Sequence, residues 1–232
     1  MKMGRHQIRV AAPRSWPITR KTHAWVVGAN AGSHSKETGI PLLVVVRDML
    51  KIANNSREAK RIINEGNILV DGIARKDYKY MTGLFDIVSL PAVNEYYRLL
   101  LDANNRFKLF KESQGALKLC RVNNKTVLRK GGVQLNLHDG NNLLASNEYK
   151  TFDTIMLSLP DRNIAKHIAY KTGNLALIVG GEHSGEIGKI KQIRKVRGSG
   201  TNMVVLSNEN EFETIENYVF MIGESTPEIK VV

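Results

Sequence analysis

Apolar and polar positions alternate with different rhythms along the 232 residues of this chain. The first 39 residues keep neither a helical nor a strand period, and Pro13, Pro17, Gly28, Gly32 and Gly39 break them up. A helical spacing then begins. Leu42, Val46, Met49, Leu50 and Ala53 form one stripe, with Arg47 and Lys51 four apart on another face, which predicts a helix over 42–53. A second helix is predicted after Asn54 and Asn55, with Ser56 as its N-cap. Ala59, Ile62 and Ile63 turn inward at i, i+3, i+4, while Arg57, Lys60, Arg61 and Asn64 project from the opposite side. Gly66 supplies the left-handed residue that stops this helix. Residues 68–70, the Asp71–Gly72 turn and Ile73 read as a hairpin, and 86–90 closes the unit before Pro91.

From Asn94 the period shortens to that of strands. These are predicted over 96–101, 106–110, 117–122, 126–129, 133–137 and 154–159, with turn residues between them, which suggests a small β-barrel or sandwich. After Gly173, strands at 175–179, 189–196, 204–206 and 218–222 surround a Gly-rich loop, 180–188, in the manner of an SH3-like barrel. The expected architecture is α+β and multi-domain: a basic N-terminal arm (1–40), an αα-ββ module (41–92), a central β domain (93–172) and an SH3-like domain with C-terminal strands (173–232).

Charge narrows the function. The formal net charge is +12, which draws a protein to nucleic acid or to an anionic membrane. Residues 1–36 hold seven Lys or Arg and no acid, 161–199 hold eight basic and three acidic residues, and 200–232 hold one basic and six acidic. Two cationic zones therefore flank the middle, and the acidic C-terminal stretch is expected to face away from an anionic partner. The longest apolar run, 40–46, is interrupted by Arg47 and falls far short of the ~20 residues that span a bilayer. The basic N-terminus is not followed by the apolar core of a secretory signal. A single cysteine, Cys120, excludes an internal disulfide framework and fits a reducing, cytosolic setting. A merely solvated basic surface is the plainer alternative, and the long acid-free run argues against it.

In the arm, Trp16, Trp25, His6, His23 and His34 are interleaved with Lys2, Arg5, Arg9, Arg14, Arg20 and Lys21. Cations meet phosphates and rings stack on unpaired bases, so this mixture suits RNA. Trp16, Trp25, Val26 and Val27 are also expected to pin the arm to the neighbouring core, Trp25 packing rather than stacking. Because the arm is expected to bury little, it should be unordered before it meets a partner.

Catalytic and cofactor chemistry finds no footing. The loop containing Gly181, Gly185, Gly188 and Lys189 superficially resembles a phosphate loop. However, His183 stands where the first glycine of that motif belongs, and Ile190 where Ser or Thr must follow the lysine. The glycines are better explained by a tight loop with positive φ and close backbone approach, with Lys189, Lys191, Arg194, Lys195 and Arg197 lining one edge. Six scattered histidines and one cysteine do not make a metal site. No nucleophile elbow occurs, Cys120 sits within a predicted strand, and Glu209, Glu211 and Glu213 alternate as a solvated strand face would. No cofactor, metal, membrane or small-molecule substrate is expected.

Several stretches carry a resemblance. KRIINEGNILVDG with RKDYKYMTGLFDIVSL resembles the S-four RNA-binding module, also called the alpha-L motif. GNLALIVGGEHSGEIGKIKQIRK is similar to the KOW motif, with Gly181, Gly185 and Gly188 at its glycine positions. AAPRSWPITRKTHAWV, IPLLVVVRDMLK and FETIENYVFMIG resemble further blocks of the archaeal and eukaryotic small-subunit ribosomal proteins of the S-four-e type. The match runs in order over essentially the whole chain, although Gly32, Ser33, His34 and Ser35 depart from the family's proline-containing linker. The resemblance implies a structural constituent of the small ribosomal subunit seated on 16S-type rRNA beside neighbouring ribosomal proteins. It places RNA contacts on Arg57, Lys60, Arg61, Asn67, Asp71 and Lys76. Arg47 and the arm and loop cations are further candidate RNA contacts, the loop meeting either RNA or a neighbouring protein. The rival classes are an RNA-modifying enzyme, which would need a catalytic Asp in a Gly-Arg-Leu-Asp context that this chain lacks, and a KOW-type transcription factor.

Overall fold

In a computed structural model the described residues are 6–113, 115–129, 131–208 and 210–229. They form two compact units. One comprises the chain through Leu101 with Arg106–Lys118 and Ser158–Arg162; the other comprises Asp102–Asn105, Leu119–Leu157 and the chain from Asn163 onward.

The first unit begins with the arm, which buries more than its composition suggests. Strands β1 (Gln7–Ile8) and β2 (Trp25–Val26) pair antiparallel. Trp16 is 1% exposed and its indole N–H donates to the Gly39 carbonyl at 2.8 Å. Ala12, Ile18, Val26 and Val27 join the same core. The expectation of an arm that buries little therefore fails, and the expected pinning holds for Trp16, Val26 and Val27 but not for Trp25, which is 58% exposed.

Next, β3 (Gly39–Pro41) leads into α1 (Leu42–Val44), which widens at once into a π-helical turn over Val45–Met49. The Leu50 N–H reaches the Val45 carbonyl at 2.9 Å, five residues back. The predicted helix to residue 53 ends early, and Lys51 already has φ 56°. Ile40 through Val46 are buried without interruption, so this segment is enclosed on all sides rather than amphipathic.

Helix α2 (Ser56–Glu65) follows. Its cap is Asn55, one residue before the predicted Ser56: the Asn55 side chain accepts from the Arg57 and Glu58 N–H groups, both at 2.9 Å. Glu58 reaches back to the Asn54 N–H at 2.9 Å. Gly66, at φ 84°, ends the helix. Strands β4 (Leu69–Val70) and β5 (Ile73–Ala74) form the hairpin, with Asp71 and Gly72 both at positive φ as a two-residue turn requires. Then come β6 (Met81–Gly83), paired with β3, and β7 (Ile87–Leu90). Strands β8 (Glu95–Leu101) and β9 (Phe107–Glu112), expected in a separate β domain, instead extend the hairpin's sheet in the order β5-β4-β7-β8-β9. Ala59 and Ile63 of α2 pack with Ile68, Val88 and Leu99 in the core beneath it.

A five-stranded sheet of order β12-β11-β10-β13-β14 comes next: β10 (Leu117–Val127), β11 (Val133–Leu137), β12 (Asn142–Ala145), β13 (Thr154–Ser158) and β14 (Asn163–Ile168). Where periodicity predicts two strands over 117–129, the chain makes one long strand. Its register slips between Val122 and Asn124, so the Asn-rich stretch is a bulge and not a turn. Cys120, Val122, Leu135, Ile155 and Leu157 form the core of this sheet.

The remaining sheet has the order β18-β17-β16-β15-β19, with β15 (Leu175–Ile178), β16 (Ile187–Arg194), β17 (Met203–Ser207), β18 (Glu211–Ile215) and β19 (Val219–Gly223). Every neighbouring pair in it is antiparallel.

Candidate nucleic-acid interface

One concentration of cations lies on α2 and the segment after β5. Arg57 and Arg61 are exposed on the outer face of α2, with Lys60 between them and partly covered. The Lys60 ammonium sits 4.5 Å from the centre of the Tyr78 ring, and that of Lys79 lies 5.7 Å from the same ring. Arg75 lies 4.4 Å from the Tyr80 ring. These contacts hold long, mobile side chains in place without neutralising them. Arg61 pairs with Glu65 at 3.0 Å, and the Asn67 amide also donates to Glu65 at 3.0 Å, so one carboxylate ties the helix end to the turn that follows. Lys76 is exposed beside Gly66. Arg57, Lys60, Arg61, Asn67 and Lys76 thus gather on one surface. Arg75, Tyr78 and Lys79 join them. Sequence reasoning leaves those three unassigned, although the run RKDYKY over 75–80 is their signal.

Asp71 requires a correction. The family resemblance places it among the RNA contacts, yet it is 6% exposed and turns inward. One carboxylate oxygen accepts from the Ile87 N–H at 3.0 Å and the other from the Lys118 ammonium at 2.6 Å. Lys118 also binds Asp86 at 2.7 Å. The other oxygen of Asp86 takes the Gly83 N–H at 2.8 Å and faces His34 Nε2 at 3.1 Å. This buried chain of groups joins the arm, the hairpin turn and the start of β10 within one unit. Burial, reinforced by the Asp86 charge, pushes the Asp71 carboxyl up to about 6. For Asp86, burial also acts upward, but Lys118 and then His34 outweigh it and hold that carboxyl below the usual carboxylate range.

Three other cations expected to meet RNA are engaged in folding. Arg9 is buried, with its guanidinium on the Thr19 carbonyl and hydroxyl. Arg20 donates to the carbonyls of Ala12 at 2.7 Å, Pro13 at 2.6 Å and Val10 at 3.2 Å. Arg47 is half-buried between Asp48 and the Ser56 hydroxyl, each at 2.7 Å. Arg14, Lys21 and His23 are exposed. Lys2 and Arg5 lie outside the described residues.

On β16, Lys189 and Lys191 face solvent, as do Arg194, Lys195 and Arg197. Acids of the C-terminal stretch lie against two of these cations. Lys191 is paired with Glu211, and Arg194 with Glu213 at 2.7 Å, both acids coming from β18. Gly181 and Gly185 have φ of 83° and 87° as expected, whereas Gly188 does not have a positive φ. What Gly188 provides is closeness, since an added Cβ would stand 3.2 Å from that of Leu206. His183 stacks on Phe212 at 4.4 Å.

The chain matches known proteins along nearly its whole length. Residues 3–37 match the RS4NT (NUC023) domain, 40–88 the S4 domain, and 93–164 the ribosomal family S4e. The small ribosomal subunit protein eS4 of Methanocella arvoryzae is 50% identical over 98% of this chain and 97% of its own length. That of Archaeoglobus fulgidus is 46% identical with the same coverage. The crystal structure of the 30S ribosomal protein S4e from Thermoplasma acidophilum superimposes with a TM-score of 0.71 at 31% identity, covering 84% of this chain and 99% of that one. Identity at this level across the full length shows that the chain belongs to the ribosomal protein family S4e.

Proposed function

We propose that this protein is a structural constituent of the small ribosomal subunit. It binds and stabilises rRNA through basic surfaces, acts beside neighbouring ribosomal proteins in the cytoplasm, and carries out no catalysis. The observation that carries this reading is the outer face of α2, where Arg57 and Arg61 are exposed and Lys60 shares the ring of Tyr78 with Lys79, on a helix whose other face is locked into the core. Phosphate neutralisation releases counterions, and ~8 such contacts would give a slope of log affinity against log salt of roughly −6 to −7. The alpha-L reading of α2 and its hairpin, and the KOW reading of the β15–β19 sheet with its glycine loop, belong to this proposal. The exposed Lys189, Lys195 and Arg197 support the second of these.

Filter binding of the full chain to a fragment of small-subunit rRNA, across a salt series, tests the reading. A steep slope supports it, and salt-insensitive binding overturns it. In cell lysate, quantitative migration with the small subunit on a sucrose gradient is the expected companion result.

A further inference from the structure

The N-terminal ribbon presents an apolar face that its own fold leaves uncovered. Beside β1 the Arg9 side chain turns inward, so Ile8 and Val10 on either side of it turn outward, at 53% and 63% exposure. Register pairs Ile8 with Trp25, which puts the indole on that same face. The His6 ring lies 5.4 Å from the indole, tilted by 54°. An exposed tryptophan beside exposed aliphatic side chains is not a remnant of the core, because the other tryptophan, Trp16, already anchors the arm.

The surroundings select the occupant. Residues 1–36 contain no Asp or Glu. Exposed Lys21 and His23 lie within four positions of Trp25, and Arg14 is exposed in the same segment. An apolar ring face set in an acid-free, cationic surface complements a group that is flat, aromatic and attached to negative charge. A nucleotide is such a group. We propose that Trp25, flanked by Ile8 and His6, is a stacking platform for one unpaired base of RNA, with Lys21 and His23 meeting the adjoining phosphates. This rests on the RNA-binding reading above and adds to it a site that distinguishes unpaired from paired RNA. A base inside a duplex has both faces covered and cannot stack on a protein ring.

The test uses the full chain, with a short mixed-sequence single-stranded oligoribonucleotide and the same sequence as a duplex. Trp16 is sealed from solvent, so the emission difference between the wild type and Trp25→Phe isolates Trp25. Quenching by the single strand and not by the duplex is expected. Trp25→Ala should weaken single-strand binding by roughly 5- to 100-fold, and Trp25→Phe should restore most of it. The salt slope should stay unchanged in both variants, because every phosphate-binding cation is still present. Single-strand binding with a silent Trp25, or equal quenching by both forms, overturns the platform and leaves RNA binding intact. A Trp25 response given only by other small-subunit proteins overturns it as well. A wild-type chain that binds neither RNA would instead remove the RNA-binding reading on which the platform depends.

Discussion

On α2 and on β16, cations recur at regular spacing, and by count the two elements look equivalent. Their surroundings separate them. Lys60 and Lys79 share the ring of Tyr78, which positions charge and leaves it unneutralised. On β16, Lys191 and Arg194 already face Glu211 and Glu213. A polyanion approaching β16 must displace those carboxylates or tolerate them, whereas on α2 Arg61 faces one such competitor among the described residues, Glu65. Net charge along the sequence therefore overstates the attraction of the C-terminal sheet and describes that of α2 fairly.

The ion pairs differ in depth as well. Those on β16 and β18 are exposed, and such pairs contribute about 0–1 kcal/mol each. The pairs from Lys118 to Asp71 and Asp86 are buried beneath the hairpin that follows α2. Removing one partner of a buried pair leaves a desolvated charge and costs about 3–5 kcal/mol. Lys118→Met should accordingly give the largest effect on stability, a loss of that size in urea denaturation, while Glu213→Gln should change stability by less than about 1 kcal/mol. Equal losses would erase the distinction between the two regions.

The same buried cluster sets a pH dependence. Because Asp71 titrates near 6 in the fold against an ordinary value of 3.8, the folded state holds more protons than the unfolded state between those values. Its contribution to stability therefore falls as pH rises from about 4 to about 6, and is flat above. The depressed Asp86 acts in the opposite sense, losing its contribution only as pH falls below the ordinary carboxylate range. Melting temperatures of the wild type and of Asp71→Asn should thus diverge across pH 4 to 6, with the wild type relatively more stable at the acid end. Parallel curves would mean that Asp71 is ionised throughout.

Much of this contrast was legible in the sequence. The inward stripe of α2, its stop at Gly66 and the Asp71–Gly72 turn follow from local rules, and the structure has all three. What escaped were choices made by distant residues. Asp in an Asp-Gly turn usually faces water, and nothing near Asp71 announces Lys118, 47 positions away. Lys118 itself interrupts an apolar run, where alternation would send it to solvent. The arm misled for the same reason. Trp16 and Trp25 are alike in composition, and only the Gly39 carbonyl and the core beneath decide which one is buried. The acids of β18 could be read as a strand face, but not as the face shared with β16, because strand order is not written in periodicity.

Charge reversal brings the comparison to binding. Arg57, Lys60 and Arg61 all changed to Glu should weaken rRNA-fragment affinity by more than about tenfold. The salt slope should flatten by roughly 2 to 3, one unit or slightly less for each phosphate no longer neutralised. The same treatment of Lys189, Lys191 and Arg194 should do less, since two of those three cations are already paired. Comparable losses at the two sites would show that the glutamates of β18 move aside on binding.

The smallest expected effect is the most discriminating. Glu211→Gln with Glu213→Gln removes the two competing carboxylates while keeping side-chain size and the strand. If β16 meets RNA, releasing Lys191 and Arg194 should steepen the salt slope by up to about 2 and tighten binding at low salt. The gain should fade at high salt, where exposed charges are screened beyond roughly 10 Å or less. If β16 instead meets a neighbouring protein, the rRNA slope stays where it was, and the ion pairs with β18 are part of the surface that the protein partner recognises. The α2 face provides the control: Glu65→Gln frees Arg61 in the same way, on the surface proposed to bind RNA. A steeper slope from Glu65→Gln alone would place rRNA contact on α2 and not on β16, and leave the C-terminal sheet to protein.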